Sequence, residues 1–190
     1  MPNWVSNTLN ISGDENKIAI IKKEIANEET KEVIDFNKIV PMPSHSETFF
    51  ANGGVGIEER EKYGKNNWYD WSVENWGTKW NCCETVLSDE EEDKLSYYFD
   101  TAWDPCVPIA QAIAKKYGVN VELIYADEDI GYHCGLVEFD ENGNQINCEY
   151  HENNQQEGLS FIARYYGIDY VEDCGYNKNE KGEWYCAWNE

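Results

Sequence analysis

Residues 95–125, LSYYFDTAWDPCVPIAQAIAKKYGVNVELIY, decide the fold. Leu95, Tyr97 and Phe99 alternate with Ser96, Tyr98 and Asp100, the two-residue period of a half-buried strand. Asp104-Pro105 then opens a helix, where proline is tolerated in the first turn. Its inward stripe is Ile109, Ala112, Ile113 and Tyr117, and Gly118 closes it as a left-handed cap requires. Val119, Val121, Leu123 and Tyr125 alternate again and predict a second strand.

The first half of the chain carries the same grammar. Over residues 4–11, Val5, Leu9 and Ile11 share one face, and Trp4, Ser6, Thr8 and Asn10 the other. Ser12-Gly13-Asp14-Glu15 supplies a turn, a capping side chain and acids for a first helical turn. Ile18, Ile21 and Ile25 form the stripe of the helix that follows, with Lys22-Lys23 near its end. Residues 35–66, with Pro41, Pro43 and Asn52-Gly53-Gly54, read as an excursion from the sheet. In NWYDWSVENWGTKW (67–80), Tyr69, Val73, Trp76 and Trp80 recur at helical spacing. Residues 82–87 read as a strand, and 88–93 as an acidic turn.

The order is β-α-(helical insert)-β-β-α-β. That order predicts an α+β fold of the ferredoxin-like, split βαβ kind: an antiparallel sheet with helices on one face, plus an aromatic-rich helical insert. The predicted domain spans residues 1–127, with the insert at about 35–80. Residues 128–190 read as a docked extension containing a hairpin and a helix. Asn142-Gly143 predicts a two-residue hairpin loop, which sets Val137 opposite Cys148, Phe139 opposite Ile146 and Cys134 opposite His151. Residues 158–166 read as a helix ended by Gly167, and IDYVEDC and EWYCAW as strand-like pieces.

Charge restricts function. There are 37 Asp and Glu against 15 Lys and Arg, a formal charge of −22. Direct non-specific binding of nucleic acid needs cations to neutralise phosphates, so it is not expected. An aromatic content of 14% separates the chain from disordered acidic tails. No apolar run is long enough to span a membrane and no signal peptide is visible, so the expected setting is cytoplasmic. The seven cysteines are an odd number without a CxxC, and read as reduced thiols.

Three segments resemble a known family. MPNWVSN (1–7), NWYDW…ENWGTKWN (67–81) and FDTAWDPCVP (99–108) are similar, in order, to the YubB-like family of phage- and plasmid-borne proteins. Val5 stands where that pattern usually has Cys, and Cys106 interrupts its proline-rich run. The resemblance implies a ferredoxin-like fold and a mobile-element setting. It implies no catalytic residue.

Chemistry-bearing constellations are few. His133, Cys134, Cys148 and His151 suggest a zinc site, but alternation sends Cys148 to the face opposite Cys134 and His151. The acids after Asp127 fail as an EF-hand loop, because Tyr132 occupies the glycine position. Cys106, at a helix start, is expected to have a lowered pKa. No cofactor motif and no metal site is expected. The four tryptophans of the insert read mainly as core, joined by Trp4 and Trp103, with Trp68 and Trp71 off the stripe as exposed anchors. The expectation is therefore a non-enzymatic acidic module. Asp89, Glu90, Glu91, Glu92 and Asp93 would steer it to a basic host protein, such as a nuclease or other defence effector, which it inhibits by nucleic-acid mimicry. The alternatives are an enzyme acting on nucleotides through carboxylates or metal and the His133/His151 hairpin, and a structural accessory protein of a mobile element.

Overall fold

A computed structural model describes residues 1–189. The chain runs β1 (Trp4–Ser12), α1 (Glu15–Glu24), α2 (Phe36–Ile39), α3 (Ile57–Tyr63), α4 (Trp68–Trp76), β2 (Cys83–Glu91), β3 (Lys94–Ala102), α5 (Val107–Tyr117) and β4 (Asn120–Asp127). The extension adds β5 (Cys134–Phe139), β6 (Gln145–His151), α6 (Gln155–Tyr165), α7 (Ile168–Asp173), β7 (Tyr176–Lys178) and β8 (Trp184–Cys186). Six strands form one sheet in the order β2-β3-β1-β4-β5-β6. Every neighbouring pair in it is antiparallel. Its first four strands have the ferredoxin-like order, with β1 held between β3 and β4.

Elementary chemistry starts and stops the helices. The Asp14 side chain accepts the Asn16 N–H, Glu15 lies in the first turn of α1, and Lys22 and Lys23 lie in its last. Pro108 sits in the first turn of α5, and Gly118 caps that helix at φ 64. Ile18, Ile21 and Ile25, together with Ile109 and Ile113, bury against Val5, Leu9, Ile11, Leu95, Tyr97, Phe99, Val121 and Leu123. Each such aliphatic side chain contributes about 1.5–3 kcal/mol on leaving water. Asn7 lies in the same buried row of β1, where its amide donates to the Val5 carbonyl and the Thr101 hydroxyl.

The extension forms a third layer on the opposite side of the sheet. Leu159, Phe161 and Ile162 of α6, Val171 of α7 and Trp184 of β8 pack on Ile124, Ala126, Cys134 and Leu136. The predicted helices of the split βαβ unit share one face, and the extension gives the other face helices too.

Four expectations about local structure are corrected. The stretch 88–93 is not all turn: β2 continues through Asp89, Glu90 and Glu91, and Glu92-Asp93 alone makes the turn. Pairing of Glu91 with Lys94 and an ion pair of Glu90 with Lys22 at 2.6 Å offset repulsion in that strand. Helix α4 stops at Trp76, capped by Gly77 at φ 81, so Trp80 lies beyond the helix. Residues 168–173 are helical, with Val171 alone buried. The β5–β6 hairpin closes through a longer loop, because the Asp140 carboxylate accepts the N–H groups of Asn142 and Asn144. The predicted register holds at Cys134–His151 and Val137–Cys148, but a bulge places Phe139 opposite Gln145.

Candidate functional site: an acidic edge and an aromatic recess

Strand β2 is one edge of the sheet, and from Ser88 to Glu91 every residue is exposed, as are Glu92 and Asp93 of the turn. All five predicted steering acids, Asp89 to Asp93, therefore lie together on this edge and its turn. Glu84 extends the array at the other end, exposed and at φ 52 beside a register shift. Carboxylates and irregularities of this kind also stop an edge from recruiting further strands.

The predicted aromatic anchors are placed differently. Trp71 packs on the core edge-to-face with Trp76, ring centroids 5.4 Å apart, so it is no exposed anchor. Trp68 is half-buried, and its indole N–H donates to the Gly53 carbonyl at 2.8 Å. Of the predicted stripe, Trp76 is buried and donates to the Val40 carbonyl, whereas Val73 and Trp80 are exposed. The helix is rotated from the predicted face, so that Ser72 joins Trp76 inside and Val73 turns to solvent.

Trp80 lies beside Trp4 with centroids 6.5 Å apart. Trp4 in turn borders a recess of about 430 Å³ lined by Ser6, Cys83, Glu84, Asp100, Ala126, Glu128 and Tyr170. Within it the Tyr98 hydroxyl donates to Ser6 Oγ, and Ser6 donates to Asp100 Oδ1, both at 3.0 Å. Burial raises the Asp100 pKa, the Ser6 hydrogen bond opposes, and the Glu84 charge adds to the rise. Burial, followed by the charges of Asp100 and Glu84, raises the Cys83 thiol as well. An anionic, aromatic-walled recess suits an ammonium or guanidinium group. Trp80 already carries the Lys79 ammonium 4.4 Å from its ring centroid.

A second cluster lies beyond the end of β4. His133 Nδ1 is 3.3 Å from Asp127 Oδ2, and its Nε2 is 3.7 Å from Asp104 Oδ1. Asp127 also accepts the Asn3 amide and the Asp129 backbone N–H. Burial works against the Asp127 anion, but hydrogen bonds from His133, Asp129 and Asn3 outweigh it and lower the pKa. The Asp127 hydrogen bond raises the His133 pKa against burial, and Asp104 assists. His133 adopts φ 42 and Trp103 φ 75, so backbone strain is held on both sides of this contact.

The two histidines of the hairpin do not form one site. His133 stacks near Tyr125 and Tyr150, while His151 packs on Phe161 of α6 and contacts Glu149. Cys134 is buried opposite His151, and Cys148 is exposed on the other face. Among the described residues, no three His, Cys, Asp or Glu side chains converge to hold a metal ion. Cys106 reverses its expected reactivity: it is fully buried, and burial drives its pKa up rather than down. Among the described residues, no helix is long and apolar enough to cross a membrane.

Residues 75–169 match the family model described as "Ferredoxin-like domain in Api92-like protein". The chain belongs to this Api92-like family. The matched segment runs from the end of α4 to the start of α7, so it contains the acidic edge and most of the recess. The crystal structure of a protein api92 from Yersinia pseudotuberculosis has the same fold, with a TM-score of 0.54 at 8% identity over 81% of this chain and 99% of that one. No curated protein matches this sequence. Trp4, Ser6 and Tyr170 of the recess lie outside the segment that defines the Api92-like match.

Proposed function

We propose that this Api92-like chain is a non-enzymatic binding module for a basic protein. The acids of β2 and its turn steer the partner, and a Lys or Arg side chain of that partner enters the recess between Trp4 and Tyr170. In a mobile-element setting, such a partner is a host nucleic-acid-handling or defence protein whose phosphate-binding surface the carboxylates occupy. One observation carries this reading: a single edge strand bears exposed acids at its turn end and, at its other end, contributes Glu84 to a recess that joins Glu84, Asp100 and Glu128 to aromatic walls. Charge along an edge governs encounter and salt dependence, while a desolvated aromatic pocket supplies residence time.

The test is titration calorimetry with a Lys-rich and an Arg-rich peptide, alongside a pull-down from host lysate, each at low and high salt. Replacing Glu90 and Glu91 with Lys is expected to weaken association and flatten its salt dependence. Tyr170→Ala, which removes one wall of the recess, is expected to weaken it about 30-fold, the equivalent of about 2 kcal/mol at a hot spot. Failure to retain any basic protein or peptide at low salt overturns the proposal, as does retention that ignores both changes.

A further inference from the structure

The two edges of the sheet are built differently. Strand β2 carries consecutive acids and two register shifts. Strand β6, the other edge, pairs regularly with β5 from Asn147 to His151. It contains no Lys, Arg or Pro, and its single acid, Glu149, contacts both Arg164 and His151. Ile146 is 63% and Tyr150 48% exposed, and Cys148 between them is exposed too. Among the described residues, no strand pairs with the outer side of β6. A long, regular, weakly charged edge with apolar side chains is a template for another strand.

We infer that β6 is a self-pairing edge, through which two copies of this chain join antiparallel about a two-fold axis at Cys148 into one continuous sheet. A two-fold axis perpendicular to the sheet keeps each side chain on its own face, so residues of like parity must meet. Setting Cys148 on the axis places Asn147 opposite Glu149 of the second copy, both within the regularly paired stretch. It also brings Ile146 beside the second copy's Tyr150. That polar pair is an amide with a carboxylate, and no two like charges meet. Moving the axis to Glu149 would set two carboxylates face to face, which cross-strand pairing penalises. Strand β2 is a poorer template, because its consecutive acids and two register shifts interrupt regular pairing. The occupant is therefore a second copy, joined at β6 and leaving the acidic edge free.

Light scattering and sedimentation of the full chain under reducing conditions test this. The expected result is twice the monomer mass at high protein concentration. Association should strengthen as salt is added, because each copy carries −22 and screening relieves their repulsion. Cys148→Asp places two carboxylates on the axis at an exposed position and is expected to restore the monomer mass, with circular dichroism unchanged. Mild thiol oxidation should trap the dimer of the unaltered chain but not of Cys148→Ser, whereas Cys174→Ser should still be trapped. A monomer at every concentration and salt overturns the inference, as would a dimer that survives Cys148→Asp. Capture of a partner weakens with salt and self-pairing strengthens, so failure of one reading leaves the other distinguishable.

Discussion

Replacing His133 with Asn isolates the charge that fastens the β3–α5 loop to the end of β4. Asn tolerates the positive φ that His133 adopts, so the change removes a proton-binding ring without asking the backbone to move. In the native chain a protonated His133 donates to Asp127, whose side chain is only 6% exposed, and its other nitrogen faces Asp104, which is 61% exposed. A hydrogen bond between charged groups is worth about 1.5–3 kcal/mol, and the solvated Asp104 contact adds about 0–1 kcal/mol. A loss of about 2 kcal/mol corresponds to a melting shift of about 4–8 °C for a chain of this size. The sign follows from the raised His133 pKa. The stabilisation is fully present below the unfolded histidine value of about 6.5 and disappears as pH rises through the folded value. Asp127 sets the lower limit, because its depressed pKa means its contribution is lost as pH falls through that folded value. Thermal melts of both proteins should differ most between roughly pH 4 and 6.5 and converge in mildly alkaline buffer. Equal melting points at mildly acidic pH, or the same gap at both ends, would refute the reasoning.

Three further outcomes follow from packing. Gly158→Ala would drive a Cβ into the Gly131 carbonyl oxygen, so α6 and the β4–β5 loop must move apart. Its cost is about 3 kcal/mol by chemical denaturation, at the upper end for overpacking. Trp76→Ala removes a buried ring that contacts both Phe36 and Trp71, and should cost about 3–5 kcal/mol in the same assay. Thiol labelling of the native chain should modify Cys148 and Cys174 quickly, leaving Cys106 and Cys134 untouched until the chain unfolds, as mass spectrometry would show.

The sheet was legible because its buried rows alternate without interruption. Leu9 and Ile11 pair with Tyr97 and Leu95 on one side and with Leu123 and Val121 on the other, with Asn7 between Phe99 and Tyr125, so periodicity named all three strands. The capping residues Asp14 and Gly118 were equally plain, because their chemistry is local. Strand β2 was read too short, since an edge with both faces in solvent has no apolar alternation to mark it. The helix at Ile168–Asp173 and the rotation of α4 were hidden for a related reason: short amphipathic segments take the conformation that neighbouring elements cover. The recess was invisible because its lining comes from residue 4, residues 83–84, residue 100, residues 126–128 and residue 170. Only the cross-strand pairing of Ser6 with Asp100 and Ala126 brings these together. Cys106 shows the same limit from the opposite direction. Its position at a helix start is local, but the burial that fixes its pKa comes from the rest of the core.

Of the six strands of the large sheet, β1 is synthesised first and waits longest for its partners. Its hydrogen-bonding partners begin at Lys94 and end at Asp127, so one side stays open until β3 has been made and the other until β4 follows. At ordinary translation speeds that wait is on the order of ten seconds. During it, Val5, Leu9 and Ile11 are available to any passing nascent chain. The segment made before β3 carries 19 Asp and Glu against nine Lys and Arg, so the unfinished molecule waits under a net repulsion that keeps neighbouring nascent chains apart.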